Sequence, residues 1–254
     1  EANTFYHDAH NLDGCCDYVM ANPPFNVDKA NSESAQSAGR LPFGLPSINA
    51  KKEFGNANYL WISYFYSYLN EHGRAGFVMA SSATDSSGKD RDIRQKLVET
   101  GHVDVMVSVG NNFFYTKSLP CSLWFFDKGK PQELQDKVLF IDARNYYTVV
   151  DRTLNEWSDW QLKNLNAIVW LYRGETEKYQ RLLNEYIDRI RSFVSAIVDF
   201  QTGTLCTEML PEFYQEANNK AYALKKQVNQ MRTLKHCAEI QESLEEFLRL
   251  QKAA

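Results

Sequence analysis

The first half of the chain alternates short apolar runs with segments of helical period, which predicts a parallel sheet carrying helices on its faces. Strands are expected at Asp17–Asn22, Ala75–Ala80, Val103–Val109 and Cys121–Phe126, with an edge strand at Val138–Asp142. Thr4–His7 also reads as a strand. Tyr59–Leu69 and Asp90–Thr100 have helical spacing, and Gly101 stands where a left-handed residue would end the second. Positions 28 to 58 are rich in Ser, Asn, Ala, Gly and Pro and show no sustained apolar period. Stretches of that length within a compact domain are uncommon, and are usually functional or disordered. After about Asn155 the pattern changes to long helices. Tyr179, Leu183, Tyr186, Ile190, Phe193 and Ile197 recur at alternating intervals of four and three, as in a heptad seam. A weaker seam includes Leu224, Val228, Met231, Ile240, Leu244 and Phe247. Two helices packed as a hairpin would satisfy both seams, and so would a coiled coil with another chain. The expected organisation is therefore α/β over residues 1–155 followed by a helical region over 156–254.

Composition narrows the classes. Lys and Arg number 28 against 32 Asp and Glu, a formal net charge of -4, which argues against a free-standing basic nucleic-acid binder. Contact with DNA would then depend on a local patch or on a partner. No run approaches the roughly 20 apolar residues of a membrane helix. Five Cys, two of them adjacent at Cys15 and Cys16, show no C-x-x-C spacing, so neither a disulfide framework nor a zinc site is expected. A reducing, intracellular compartment fits that usage. The five His are scattered, and no metal is expected.

The most informative residues are Asn22-Pro23-Pro24-Phe25, directly after a predicted strand. Chance would place such a tetrapeptide in roughly one chain of this size in a hundred, so a stiff turn that merely ends the strand is the weaker explanation. The tetrapeptide resembles motif IV of the amino methyltransferases, and its Asn form followed by Phe points to adenine N6 rather than cytosine N4. The chemistry explains the residues. An exocyclic amine conjugated to a purine is a poor nucleophile, because its lone pair is delocalised into the ring. If the Asn22 side-chain oxygen and the Pro23 carbonyl both accept from that amine, the lone pair is steered toward an incoming sulfonium methyl. Two prolines fix φ and hold the acceptors, and Phe25 offers a face to an extruded base.

Further ordered blocks extend the resemblance over roughly residues 1 to 200: Asn58-Tyr59-Leu60-Trp61-Ile62, Gly73–Met79, Asp92–Leu97, Asn112–Tyr115 and Leu119–Trp124. Together they resemble the methylation subunit of type I restriction-modification systems. That resemblance implies a partial Rossmann-like methyltransferase sheet whose first strands are missing. It also implies S-adenosylmethionine as cofactor, DNA as substrate, and a specificity subunit, a restriction subunit and a second methylation subunit as partners, in a bacterial or archaeal cytoplasm without membrane attachment. Asn22, Pro23, Pro24 and Phe25 take the catalytic places. Asp8 and Ala9, after the Phe5-Tyr6-His7 run, take with Asn22 the places near the cofactor, although Asp8 alone would also suit an ordinary turn. Phe113 and Tyr115 become candidates for a second wall against the base, with core packing at a strand end as the alternative. Arg40, Lys51 and Lys52 are placed to meet phosphates or simply solvent. Pro120-Cys121 looks like the nucleophile pair of cytosine C5 enzymes, but Cys121 opens an apolar strand and reads as core.

No F-x-G-x-G turn precedes Asp8, and Gly14 is the only glycine before Asn22. With the start at Glu1, this leads to the expectation of a C-terminal fragment that binds cofactor poorly and is inactive alone. Two other functions compete: a non-catalytic assembly or DNA-clamping module, and a protein-glutamine methyltransferase, which also holds an amide on an N-P-P-aromatic turn.

Overall fold

A computed structural model describes residues 3–114 and 118–202, together with 215–216, 219–223, 226, 242, 244–246 and 248–249. In chain order the elements are β1 (Cys16–Ala21), β2 (Ala30–Asn31), α1 (Ser32–Ser37), β3 (Glu53–Phe54), α2 (Asn58–Ser67), β4 (Leu69–Ala80) and α3 (Gly88–Glu99). There follow β5 (Val103–Val109), β6 (Cys121–Asp127), β7 (Leu139–Ala143), β8 (Thr148–Asp151), β9 (Leu154–Glu156), α4 (Asp159–Tyr172) and α5 (Thr176–Thr202).

The central sheet is mixed but mostly parallel, in the order β1-β4-β6-β5-β7. β1 runs parallel to β4, and β5 to β7, while β6 lies antiparallel to both β4 and β5. The reversal of β6 departs from an all-parallel reading. Residues 110–120 between β5 and β6 are fewer than the dozen or more that a parallel crossover needs, so the chain turns back instead.

Side chains alternate across this sheet into two cores. Phe77, Met79, Trp124 and Phe126 face α2 and α3 on one side. Val105, Val107 and Cys121 face the other side, where Leu165, Val169 and Tyr172 of α4 pack. α4 begins with a capping box in which the Ser158 and Gln161 side chains each satisfy the other's backbone N–H. Arg173 closes the helix, its Nε donating to the buried Asp104 carboxylate at 3.0 Å.

α2 is the hub of the fold. It is apolar all round, and eight of its ten residues are buried. One side meets the sheet, and the other meets Ala30, Ala35, Phe54 and Ala57 from the stretch that lacks an apolar period. That stretch is therefore folded, around a helix rather than around itself. Arg40 lies within it and is buried, its guanidinium 4.1 Å from the centre of the Tyr64 ring. It donates to the Tyr68 hydroxyl at 2.6 Å and to the Thr4 carbonyl at 3.0 Å. It is occupied in packing and is not available to phosphates. Lys51 and Lys52 are exposed, and Lys52 pairs with Glu33.

Thr4–His7 forms a turn, not a strand. The Asn3 side chain accepts from the Phe5 N–H, the Asn3 carbonyl accepts from Tyr6 and His7, and the Tyr64 hydroxyl donates to the Phe5 carbonyl. Phe5 itself is buried against Trp61, with ring centres 4.4 Å apart. These local and side-chain partners satisfy the backbone that a ladder would have used.

By internal contacts the chain divides after Gly174 into two compact units. The division lies beyond residue 155 because α4, helical in pattern, is packed on the sheet. In the second unit, α5 spans Thr176–Thr202. Leu182 and Ile187 are its buried apolar residues among those described, beside the expected Leu183 and Tyr186, while Phe193 is exposed. Leu244 is buried; Leu224, Val228, Met231, Ile240 and Phe247 of the second seam, with the side chain of Ile197, lie outside the described residues.

Candidate functional site

β1 ends at Ala21, and Asn22-Pro23-Pro24-Phe25 continues from its carboxyl end. Neither proline can donate to a ladder, so the strand stops where they begin. Pro23 is buried, which seats the turn, while Asn22 and Pro24 are exposed and Phe25 is half-buried. Among the described residues the Asn22 side-chain amide has no hydrogen-bond partner. The turn borders a cleft of about 670 Å³, lined by Asn22 through Asn26 on one side and by Phe114 and Leu119 on the other. The Phe25 and Phe114 rings stand 6.0 Å apart at 78°.

The opposite wall comes from the carboxyl end of β5, which runs in the same direction as β1. Open α/β sheets commonly bind ligands at that end. A Cβ on Gly110 would lie 2.5 Å from the Arg144 carbonyl, so only glycine lets β5 leave the sheet so close to the chain after β7. Asn112 follows in the left-handed region at φ 64°, a conformation asparagine tolerates better than most residues. Asn155, buried on β9, fixes this segment from outside: its Nδ2 donates to the Asn111 carbonyl at 3.0 Å and its backbone N–H to the Asn112 carbonyl at 2.7 Å. Phe113 is thereby turned to Trp157 and Tyr147, with ring centres at 5.1 and 6.0 Å, away from the cleft. Phe114, the next residue, lines the cleft and Phe113 does not. Tyr115 lies outside the described residues.

Sequence reasoning also passed over the support behind the turn. Asn26 follows Phe25 in the left-handed region at φ 53°. Its backbone N–H donates to Asn58 Oδ1 at 2.9 Å, and Asn58 Nδ2 donates back to Asn26 Oδ1 at 2.9 Å. Three asparagines at positions 26, 56 and 58 were the available signal, but nothing local says that they meet.

Asp8 and Ala9 stand apart from this cleft. The Asp8 carboxylate accepts from the backbone N–H groups of His10, Leu12 and Asp13, forming a turn beside the amino end of β1. Asn22 lies beyond the other end of that strand, about 20 Å away at some 3.3 Å per residue. Of the three residues expected near a cofactor, only Asn22 reaches the cleft. Asp8 is engaged in its own turn, and Asn22 alone of the three stands where a methyl donor would have to meet a substrate in this cleft. Burial pushes the Cys121 thiol up to about 11, which agrees with packing and not with a nucleophile. No cluster of three or more His, Cys, Asp or Glu among the described residues is placed to hold a metal ion. No helix among them is long and apolar enough to cross a membrane.

Residues 1–191 match the model of the N-6 DNA Methylase family. A stretch of 161 residues is 37% identical to the type I restriction enzyme MjaIX methylase subunit of Methanocaldococcus jannaschii, covering 63% of this chain and 29% of that one. The HindI methylase subunit of Haemophilus influenzae is 28% identical over 158 residues, covering 62% of this chain and 34% of that protein. The chain thus spans about a third of the length of these curated relatives. In fold it is similar to the crystal structure of a type I restriction-modification methyltransferase subunit from Streptococcus thermophilus, with a TM-score of 0.58 at 21% identity over 66% of this chain and 34% of that one.

Proposed function

The chain belongs to the N-6 DNA methylase family, and from that premise we propose that its cleft holds an adenine extruded from DNA for methylation at N6. The observation that carries this reading is an exposed Asn22 amide without a partner among the described residues, fixed beside the buried Pro23 at the rim of an aromatic cleft. In the proposed reaction Asn22 Oδ1 and the Pro23 carbonyl accept from the two N–H bonds of the adenine amine. The amine pyramidalises and its lone pair leaves the ring's conjugation. Pro23 and Pro24 hold the two acceptors at fixed φ, so little reorganisation is needed as the bond forms. Phe25 and Phe114, in edge contact with each other, form one aromatic wall against which the base packs, a stacked ring being worth about 1–3 kcal/mol by analogy with single-strand stacking platforms. S-adenosylmethionine is the methyl donor this reading implies, supplying an electrophilic methyl on a sulfonium.

The whole protein is proposed to be the methylation subunit of a type I restriction-modification enzyme in the cytoplasm of a bacterium or archaeon. Its partners would be a specificity subunit, a restriction subunit and a second methylation subunit, with the apolar stripe of α5 contributing to assembly. In the complete assembled enzyme, Asn22→Ala is expected to slow methylation of cognate DNA at least about 10²-fold, the scale seen when one preorganised polar group is removed from an active site. A rate unchanged by Asn22→Ala would reject the reading. Label transferred from the donor to a polypeptide, and not to DNA, would replace adenine by a glutamine amide.

A further inference from the structure

Asn58 is the first residue of α2, and its side chain is 1% exposed. A buried side-chain amide presents two donors and an acceptor that all need partners, and its orientation is settled by what surrounds it. Here the surroundings allow one answer. The Asn26 backbone N–H can only donate, so the atom facing it at 2.9 Å is Asn58 Oδ1. Nδ2 therefore points to the Asn26 side chain, whose Oδ1 accepts it at 2.9 Å. The same Oδ1 accepts from Asn56 Nδ2 at 3.3 Å, and Asn56 Oδ1 in turn accepts from the Asn58 backbone N–H at 2.8 Å. The network closes on three neutral side chains.

The two ends of this network differ in rigidity. Asn58 is rooted in the most buried helix of the molecule. Asn26 is the residue after Phe25, held at φ 53°, where most side chains are strained. We propose that Asn58 is a positioning residue for the base-binding turn: by gripping both the backbone and the side chain of Asn26, it fixes the direction in which Phe25 and the Asn22 amide face the cleft. The proposal rests on the function given above and extends it to a residue that lies behind the turn. An aspartate at position 58 would still accept from the Asn26 N–H but would have no donor for Asn26 Oδ1, and an Asn26 amide turned over to meet it would set its Nδ2 against Asn56 Nδ2, so the network breaks either way without a change in size.

The experiment uses the complete assembled methylase and cognate DNA, with 2-aminopurine in place of the target adenine for a second readout. Asn58→Asp is expected to lower kcat by at least about thirtyfold, leave KM for DNA within about threefold, and abolish most of the 2-aminopurine fluorescence rise that accompanies base extrusion. Ser63→Ala, on the same helix and buried without a hydrogen-bond partner among the described residues, is expected to leave all three unchanged. Asn26→Gly guards against an Asn58→Asp protein that does not fold, because it leaves α2 intact and keeps the left-handed backbone while removing the acceptor. It should reproduce the loss of kcat and of the fluorescence rise. If Asn22→Ala abolishes methylation while Asn58→Asp, or Asn26→Gly where Asn58→Asp does not fold, retains kcat and fluorescence, the positioning role is wrong and the function stands. A loss shared equally by Ser63→Ala would reduce Asn58 to packing. If Asn22→Ala retains methylation, both fail.

Discussion

At the carboxyl ends of β1 and β5 the chain is held by neutral groups, with Asn58 gripping Asn26 and Asn155 gripping Asn111, whereas the opposite end of the same sheet is held by buried charge. There Arg74 Nε pairs with the buried Asp127 at 2.9 Å, and Arg173 with the buried Asp104. Lys130, also buried, donates to the Val103 carbonyl at 2.7 Å and to that of Lys137, while Lys128 donates to the Leu69 carbonyl at 2.7 Å above the Tyr66 ring. Burial pushes both lysines below their usual range. The contrast separates two tasks. Buried charges are expensive to desolvate and severe to break, which suits an end that only has to stay shut. Among the described residues the cleft is lined by Asn, Pro, Phe and Leu, with no ionisable side chain at its walls. Salt and pH should therefore act on folding before they act on cleft geometry.

The comparison breaks first, if it is wrong, at Arg173. Arg173→Ala leaves the buried Asp104 without its hydrogen-bonded partner, and urea unfolding should show a loss of up to about 3–5 kcal/mol. At temperatures where the variant is still folded, its kcat should match the parent. A cleft defect in that variant would couple the two ends. Next in size is Phe114→Ala, for which methyl transfer should fall about tenfold, within the 1–3 kcal/mol of one stacking face. Its unfolding midpoint should move far less than that of Arg173→Ala, and an equal shift would make Phe114 a core residue.

The third effect is alkaline and lies in α2, confined to high pH. Burial pushes the Tyr64 hydroxyl up to about 12, so the folded chain keeps a proton that an unfolded tyrosine has lost. The stability linked to that proton is complete below the ordinary tyrosine value near 10 and falls away as pH rises toward 12. The slope from one such group is at most about 1.4 kcal/mol per pH unit. Tyr64→Phe should make the decline in stability between those pH values shallower, and a decline unchanged in that variant would assign it to other groups.

Periodicity and local chemistry made much of this legible. β5, β6, α2 and α3 lie close to where their patterns placed them, and the Pro-Pro turn announced itself. What escaped depended on contacts distant in sequence. Phe5 has the composition of a strand residue but fills a pocket beside Trp61, and its backbone is satisfied by Asn3 and Tyr64. Arg40 looked like a loop charge until two tyrosine rings closed over it. Choosing Phe114 over Phe113 needs the backbone direction at Asn112, and that is set by Asn155, 43 residues later in the chain. Buried asparagines carry no pattern of their own. They look like surface residues until their partners are known.

Among the described residues β1 lies at the margin of the sheet with β4 as its one neighbour, and its side chains Tyr18 and Met20 are 76% and 91% exposed. An open edge of that kind is a template on which a further strand can align by main-chain hydrogen bonds. Pro23 and Pro24 give the template a fixed end: a strand adding along β1 finds no N–H to pair with at either position. The same two residues that end β1 beside the cleft therefore also set the limit to which a ladder along that edge can run.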